Sequence, residues 1–269
     1  MVLIAKIAKD RKARKSVSRV VFTLAMQNLR MTIQYDGTNY HGWQIQANGR
    51  TIQGELTRAL SMLDHRHVTV YGAGRTDAGV HAEGQVANFF VERHFEANLL
   101  CAAINANLDR DIRVRDIQSV GPGFDARHSA RRKTYRYRIW TGDVVAPFIY
   151  RYVHHCRKEL DVDEMLRGAS ALIGTHDFSA FTVANSEAED HVRTLGRLDV
   201  SRITNEISIV VAANGFLRYM VRAIVGTLIE VGRGKRTAAS VREALESRNR
   251  SNSGPSAPAN GLTLVSVDY

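Results

Sequence analysis

Residue types that could do chemistry are densest in Gly72-Ala73-Gly74-Arg75-Thr76-Asp77-Ala78-Gly79-Val80-His81-Ala82, directly after a predicted strand at Val68–Tyr71. Three glycines permit tight turns and close approach of another backbone. Between them stand an arginine and an aspartate, two positions apart. A nucleotide phosphate loop fails on spacing and on charge. The dinucleotide fingerprint needs glycine where Asp77 stands, and the Gly-Lys-Ser/Thr of a P-loop is absent. A carboxylate there would also repel a pyrophosphate. Asp77 could instead attack an electrophilic carbon covalently, as in glycosyl chemistry. It must be ionised to do so, and a cation such as Arg75 favours the charged form. Glycoside hydrolysis wants a second carboxylate at a set distance, and no comparable local motif supplies one. Taken alone, the segment is more simply a tight turn with Asp77 capping the next segment.

Two further segments combine cations with apolar or aromatic residues. Phe124–Arg138 holds six basic side chains, Arg127, Arg131, Arg132, Lys133, Arg136 and Arg138. On a predicted strand at Lys133–Trp140, Tyr135, Tyr137 and Ile139 fall on one face and Arg136, Arg138 and Trp140 on the other. Such a strand could pair cations with phosphates and stack rings on bases. It could equally be a charged edge strand with two core tyrosines. In Gly215–Gly226, Arg218 and Arg222 lie four apart in a predicted apolar helix over Phe216–Val231. An arginine among Met220, Val221, Ile224 and Val225 either meets an anion or snorkels to water. His154-His155-Cys156 lacks the further spaced ligands of a metal site.

The elements that must position these residues are helices and strands in both halves of the 269-residue chain. Strands are predicted at Leu29–Tyr35, Gln85–Val91, Ile112–Val120, Val192–Ile203, Ile207–Ala213 and Leu262–Val267. Helices are predicted at Thr51–Leu63, Leu99–Leu108, Asp161–Ile173 and Thr237–Glu246. Hairpin-like strand pairs break any regular βαβ alternation. The expected class is α+β, with two similar α/β halves sharing an extended mixed, mainly antiparallel sheet and a central basic cleft. The expected divisions are a basic extension at 1–30, an N-terminal half at 31–145 and a C-terminal half at 146–269.

Eight basic side chains against one acid give residues 1–30 a charge of +7 out of the chain's +10. Most of the positive charge is therefore a tail, and composition alone says little of nucleic acid binding by the folded body. The tail reads as an RNA-binding arm, a targeting peptide or an over-extended start. The last is favoured because Met26 and Met31 stand just ahead of and at the start of the first clear strand. Two cysteines without a CxxC pair, no secretory core and no apolar run of membrane-spanning length point to the cytoplasm.

Together these segments resemble the tRNA pseudouridine synthase A (TruA) family. Tyr35-Asp36-Gly37-Thr38-x-Tyr40-His41-Gly42-Trp43-Gln44, then Asn48-Gly49-Arg50-Thr51-Ile52-Gln53, is similar to its opening motif. Gly74–Ala82 resembles its catalytic motif, Lys133–Tyr137 its tyrosine strand, Met220–Gly226 its basic helix and Ala257–Leu264 its C-terminal strand. The likeness runs in order from about Leu29 to Tyr269. It implies Asp77 as nucleophile, Arg222 as its ion-pair partner, and Tyr135 against the target uracil. It further implies that Arg75 holds the uridine out of the stack and that Leu262 lines the pocket. The implied substrates are uridines 38, 39 and 40 of the tRNA anticodon arm. No metal or organic cofactor is implied, and the implied assembly is a homodimer spanned by tRNA. Residues 1–30 have no counterpart in the family pattern. Asn185–His191 carries three acids where members often have Cys-Gln and small or basic residues.

The residues suit that chemistry. Isomerising uridine breaks the C1′–N1 bond, rotates the base and joins C1′ to C5. A stacked base cannot be turned, so it must be flipped out. A closed aromatic and apolar pocket would retain the detached uracil. Two rival readings are an RNA-binding protein without catalysis and a nucleoside hydrolase that releases free uracil.

Overall fold

A computed structural model describes residues 26–183 and 190–269. Nearly all of the basic extension, and most of the acidic stretch Asn185–His191, lie outside the described residues. Among those described are five helices and ten strands. In chain order they are β1 (Gln27–Tyr35), α1 (Ile52–Asp64), β2 (Val70–Gly72), β3 (His81–Val91), α2 (Ala97–Ala106), β4 (Ile112–Ser119), β5 (Arg132–Trp140), β6 (His154–His155), α3 (Val162–Ser170), β7 (Gly174–Asp177), β8 (Val192–Ile203), β9 (Glu206–Ala213), α4 (Met220–Gly232), α5 (Ala239–Ser247) and β10 (Leu262–Asp268).

All ten strands form one sheet in the order β4-β1-β3-β10-β5-β9-β8-β7, with β2 added on β3 and β6 on β5. Only β10–β3 and β5–β6 are parallel. The class is therefore α+β with a mixed, mainly antiparallel sheet. The last strand, β10, lies at its centre, between β3 from early in the chain and β5. That insertion welds the two halves together. It also explains why β3 starts at His81 rather than the expected Gln85. His81 and Ala82 pair with Thr263 and Leu264, partners some 180 residues away.

Other departures have local causes. β1 begins at Gln27, so residues 27–30 belong to the sheet and not to the extension expected at 1–30. Asn28 is buried there, and its amide donates to the carbonyls of Gly121 and Phe124. The sequence of β7, Gly-Thr-His-Asp, has no apolar alternation and reads as a loop; the segment pairs with β8 at the sheet edge. Asp161 caps α3 by accepting from the Glu164 amide at 2.9 Å. The Glu164 carboxylate takes Arg167 instead, so only half of a capping box forms.

Alternation in β5 buries Tyr135, Tyr137 and Ile139 as the sequence indicates. The cations of the strand are not free for phosphates. Arg132 meets Asp268, Arg136 meets Glu83 and Arg138 meets Glu206, all on other segments. Cross-strand pairs of this kind are modest stabilisers.

α4 packs within the core along most of its surface. Segment 254–257 lies hard against it. A Cβ on Gly226 would stand 1.7 Å from the Pro255 carbonyl oxygen, so only glycine allows this approach. The contact fixes Ala257, whose amide donates to the Arg222 carbonyl at 2.9 Å. Gly226→Ala is therefore expected to destabilise the fold by about 3 kcal/mol, through forced separation of two backbones. Urea denaturation checks this, and an unchanged midpoint would contradict the packing described.

Candidate active site

The loop between β2 and β3 presents Asp77, and its backbone is held from several strands. The Ala73 amide donates to the Val86 carbonyl at 2.7 Å. Lys133 of β5 donates to the Ala73 carbonyl at 2.5 Å, and Gln85 of β3 donates to the Gly74 carbonyl at 2.9 Å. The hydroxyls of Thr76 and Tyr35 share a buried hydrogen bond of 2.8 Å. The Thr76 carbonyl accepts from the Trp43 amide at 3.0 Å. Gly42, at φ +86°, makes this approach possible, because a Cβ there would lie 2.5 Å from the Thr76 carbonyl oxygen. Such restraints place a side chain far more narrowly than a surface turn would.

Asp77 meets a guanidinium from the other half of the chain. Arg222, in the first turn of α4, donates Nη1 to Asp77 Oδ2 at 3.0 Å and Nε to the Ala257 carbonyl at 2.7 Å. The two side chains are 16% and 22% exposed, so the pair is shielded yet open to an incoming substrate. Arg218, expected on the same helical face, lies exposed before the helix. α4 starts at Met220 and not at the expected Phe216, because Tyr219 takes a left-handed backbone with φ 61°.

Tyr135 lies on β5 with its ring edge-on to Phe216 at 5.1 Å. Burial pushes its phenol well above the usual range, and the Tyr35 hydroxyl and Asp77 carboxylate add to this. The phenol is thus a protonated donor in neutral solution, not a base. Behind it, burial pushes the Tyr35 phenol up to about 12, despite its hydrogen bonds to Thr76 and Gln85. Lys133, half-buried, is pushed down to about 8 by desolvation, with Arg127 and Arg193 adding repulsion. Leu262 is 5% exposed on β10, opposite Tyr137, while its neighbour Leu264 lies opposite Tyr135. Arg75 sits exposed on the Asp77 loop. The structure thus joins Asp77 and Arg222 directly and sets Tyr135 and Leu262 on adjoining strands.

The sequence does not reveal the groups that brace this loop, Tyr35, Gln85 and Lys133, nor the role of His81 at its end. Tyr35 and His81 stand inside recognisable motifs without an evident role, and Lys133 reads as one more phosphate-binding cation. His81 is buried, with Nδ1 3.0 Å from the Gly37 amide and Nε2 3.0 Å from the Arg151 carbonyl. A neutral ring that accepts at Nδ1 and donates at Nε2 satisfies both partners, while Asp36 Oδ1, 3.2 Å from Nδ1, favours the protonated form. Burial lowers its pKa, outweighing the opposing pull of the nearby Asp36 carboxylate. An unfolded histidine titrates near about 6.5. The folded value is lower, so the stabilisation is complete above that pH and is lost as pH falls below it. Chemical denaturation is expected to show stability level above pH 7 and declining from about pH 6.5 downward. His81→Gln should flatten that decline, and an unchanged slope in the variant would contradict the assignment.

His154 and His155 form β6, and His155 Nε2 lies 2.8 Å from the Gly142 carbonyl oxygen. Cys156 is buried beside Arg233. No helix of the described residues is long and apolar enough to cross a membrane.

The arrangement is an ion-paired carboxylate on a braced loop, beside a buried tyrosine and an apolar strand. Its sequence has close relatives. The profile of the tRNA pseudouridine synthase family matches residues 31–129 and 169–269. The tRNA pseudouridine synthase A of Acetivibrio thermocellus is 43% identical over 244 residues, covering 91% of this chain and 100% of that protein. Those of Anoxybacillus flavithermus and Methylobacterium nodulans are each 44% identical over 245 residues. They cover 91% of this chain and 99% and 96% of their own lengths. With a profile spanning both halves and relatives matched along almost their whole length, this chain belongs to the tRNA pseudouridine synthase family, and it is an isomerase that acts on tRNA.

Proposed function

We propose that the enzyme converts uridines 38, 39 and 40 of the anticodon arm to pseudouridine, with Asp77 as nucleophile towards a flipped-out nucleotide. The observation that carries this reading is the 3.0 Å pair between Asp77 and Arg222, beside Tyr135. The guanidinium sets a fixed cation beside the carboxylate, a suitable partner for an anionic nucleophile. The Tyr135 ring and phenolic proton offer a face and a hydrogen bond to the uracil. Leu262 closes the apolar side of the pocket and retains the base while it turns. Arg75, exposed on the Asp77 loop, helps to hold the flipped uridine out of the stack.

Each half supplies part of this machinery. Asp77, Arg75 and Tyr135 come from 31–145, and Arg222 and Leu262 from 146–269. The chain ahead of Gln27 is strongly basic in sequence. The enzyme acts in the cytoplasm as a homodimer, with one tRNA spanning both subunits, and needs no cofactor. A hydrolase reading is disfavoured because the side chain that meets Asp77 is a guanidinium and not a second carboxyl. A purely RNA-binding role has no use for a carboxylate so braced.

The test of position uses tRNA transcripts that carry uridine at only one of positions 38, 39 and 40, and one that carries none. Each single-uridine transcript is expected to gain pseudouridine at that position, and the last to stay unmodified in the anticodon arm. Modification confined to another arm of the tRNA would overturn the positional assignment.

A further inference from the structure

We propose that Tyr219 is a positioning residue for the reaction, its ring turned over Arg222 so as to hold the guanidinium on Asp77. The proposal rests on the roles of Asp77 and Arg222 in the proposed function and extends them one residue outward.

Tyr219 adopts φ 61° and ψ 1° immediately before α4. Bulky aromatic residues rarely enter the left-handed region, where Cβ crowds the carbonyl oxygen. Such a conformation persists only where its surroundings over-determine it. Here they do. The Leu217 carbonyl accepts from the Met220 amide at 3.1 Å, and the Tyr219 carbonyl accepts from the Ala223 amide at 2.9 Å. The Arg218 carbonyl accepts from the Thr182 hydroxyl at 3.0 Å. A glycine or asparagine would satisfy the same turn with less strain.

What the tyrosine adds is its ring. Arg222 Cζ lies over that ring at 4.9 Å from the centroid, and Arg218 Cζ lies over it at 5.4 Å. Two N–H groups of the Arg222 guanidinium are already committed, Nε to Ala257 and Nη1 to Asp77. Those bonds leave the rest of the cation uncommitted. The cation stands over the ring, which adds cation–π attraction and shields it from water. A guanidinium held by two hydrogen bonds and an aromatic ring is restrained from swinging out to solvent or to a passing RNA phosphate. Asp77 therefore keeps its partner while tRNA enters a site rich in competing anions.

Two substitutions separate the ring from the backbone. Tyr219→Asn removes the ring and tolerates the left-handed turn. Tyr219→Phe keeps both ring and strain. Hydrogen release from uracil C5 of tRNA gives kcat and KM, and thermal unfolding gives stability. The expected result for Tyr219→Asn is a melting temperature at or above wild type, with kcat lowered about five- to tenfold and KM within about twofold. Tyr219→Phe is expected to stay within about twofold of wild type in kcat. A purely structural Tyr219 would behave in the opposite way, with activity following stability. Wild-type kcat in the Asn variant would overturn the proposal, and so would an equal loss in the Phe variant. No C5 hydrogen release by folded wild-type enzyme would overturn the underlying reading, and this proposal with it.

Discussion

Asp77→Asn is expected to lower turnover by about 10³-fold or more, while tRNA affinity stays within about threefold of wild type. The substitution is nearly isosteric. Its amide oxygen can still accept from Arg222 Nη1, so the ion-pair geometry of 3.0 Å is largely retained as a hydrogen bond. The loop itself is held through Ala73, Gly74 and Thr76, none of which the change touches. What is lost is the negative charge and the nucleophilic oxygen. Stability should therefore change little, and binding, which depends on phosphate contacts, should persist. Single-turnover kinetics and a binding titration at one fixed salt concentration measure both quantities. Turnover within tenfold of wild type would remove Asp77 from the chemistry. A large loss of affinity would make it a binding residue instead.

Arg222→Lys is expected to lower kcat about 10²-fold with a small change in KM, even though the charge is kept. The guanidinium spans two partners in one plane, the Ala257 carbonyl and the Asp77 carboxylate. A single ammonium cannot reproduce that fork. If it stays with Asp77, the carbonyl of buried Ala257 loses its side-chain donor. If it moves to Ala257, Asp77 loses its fixed counter-charge. A stability loss of about 1 kcal/mol should accompany the change, because one hydrogen bond is weakened on a buried acceptor. Steady-state kinetics and urea denaturation on one preparation give both effects. Wild-type kcat in this variant would show that the fork is not needed.

The sequence announces the Asp77 loop because its chemistry is contiguous. Glycines, arginine and aspartate fall within one short run, and motif order supplies the rest. Helix and strand existence is also readable, since alternation in β5 and the apolar pattern of α4 reflect burial directly. Partnership is not readable from composition or spacing, although the family resemblance already implies Arg222 as the partner of Asp77. Asp77 and Arg222 lie 145 positions apart, and only the fold brings them to contact. The same holds for β10, whose place between β3 and β5 depends on pairing with residues distant in the chain. Charge on β5 misleads for a related reason. An arginine that meets a cross-strand carboxylate looks, in sequence, the same as one awaiting a phosphate. Tyr219 is the sharpest failure of local rules. Nothing in Phe216-Leu217-Arg218-Tyr219 warns that the helix must wait for a left-handed tyrosine, because the strain is imposed by tertiary packing.

Isomerisation of uridine forms a C1′–C5 bond and expels the hydrogen from C5. The most direct measurement uses tRNA tritiated at uracil C5 and follows both released tritium and the nucleosides of the digested product. The predicted result is tritium release matched one for one by new pseudouridine, with no free uracil. Free uracil in place of pseudouridine would mean hydrolysis, and no release from any tRNA bound by the folded enzyme would mean binding without catalysis. Either result would contradict the proposed isomerisation.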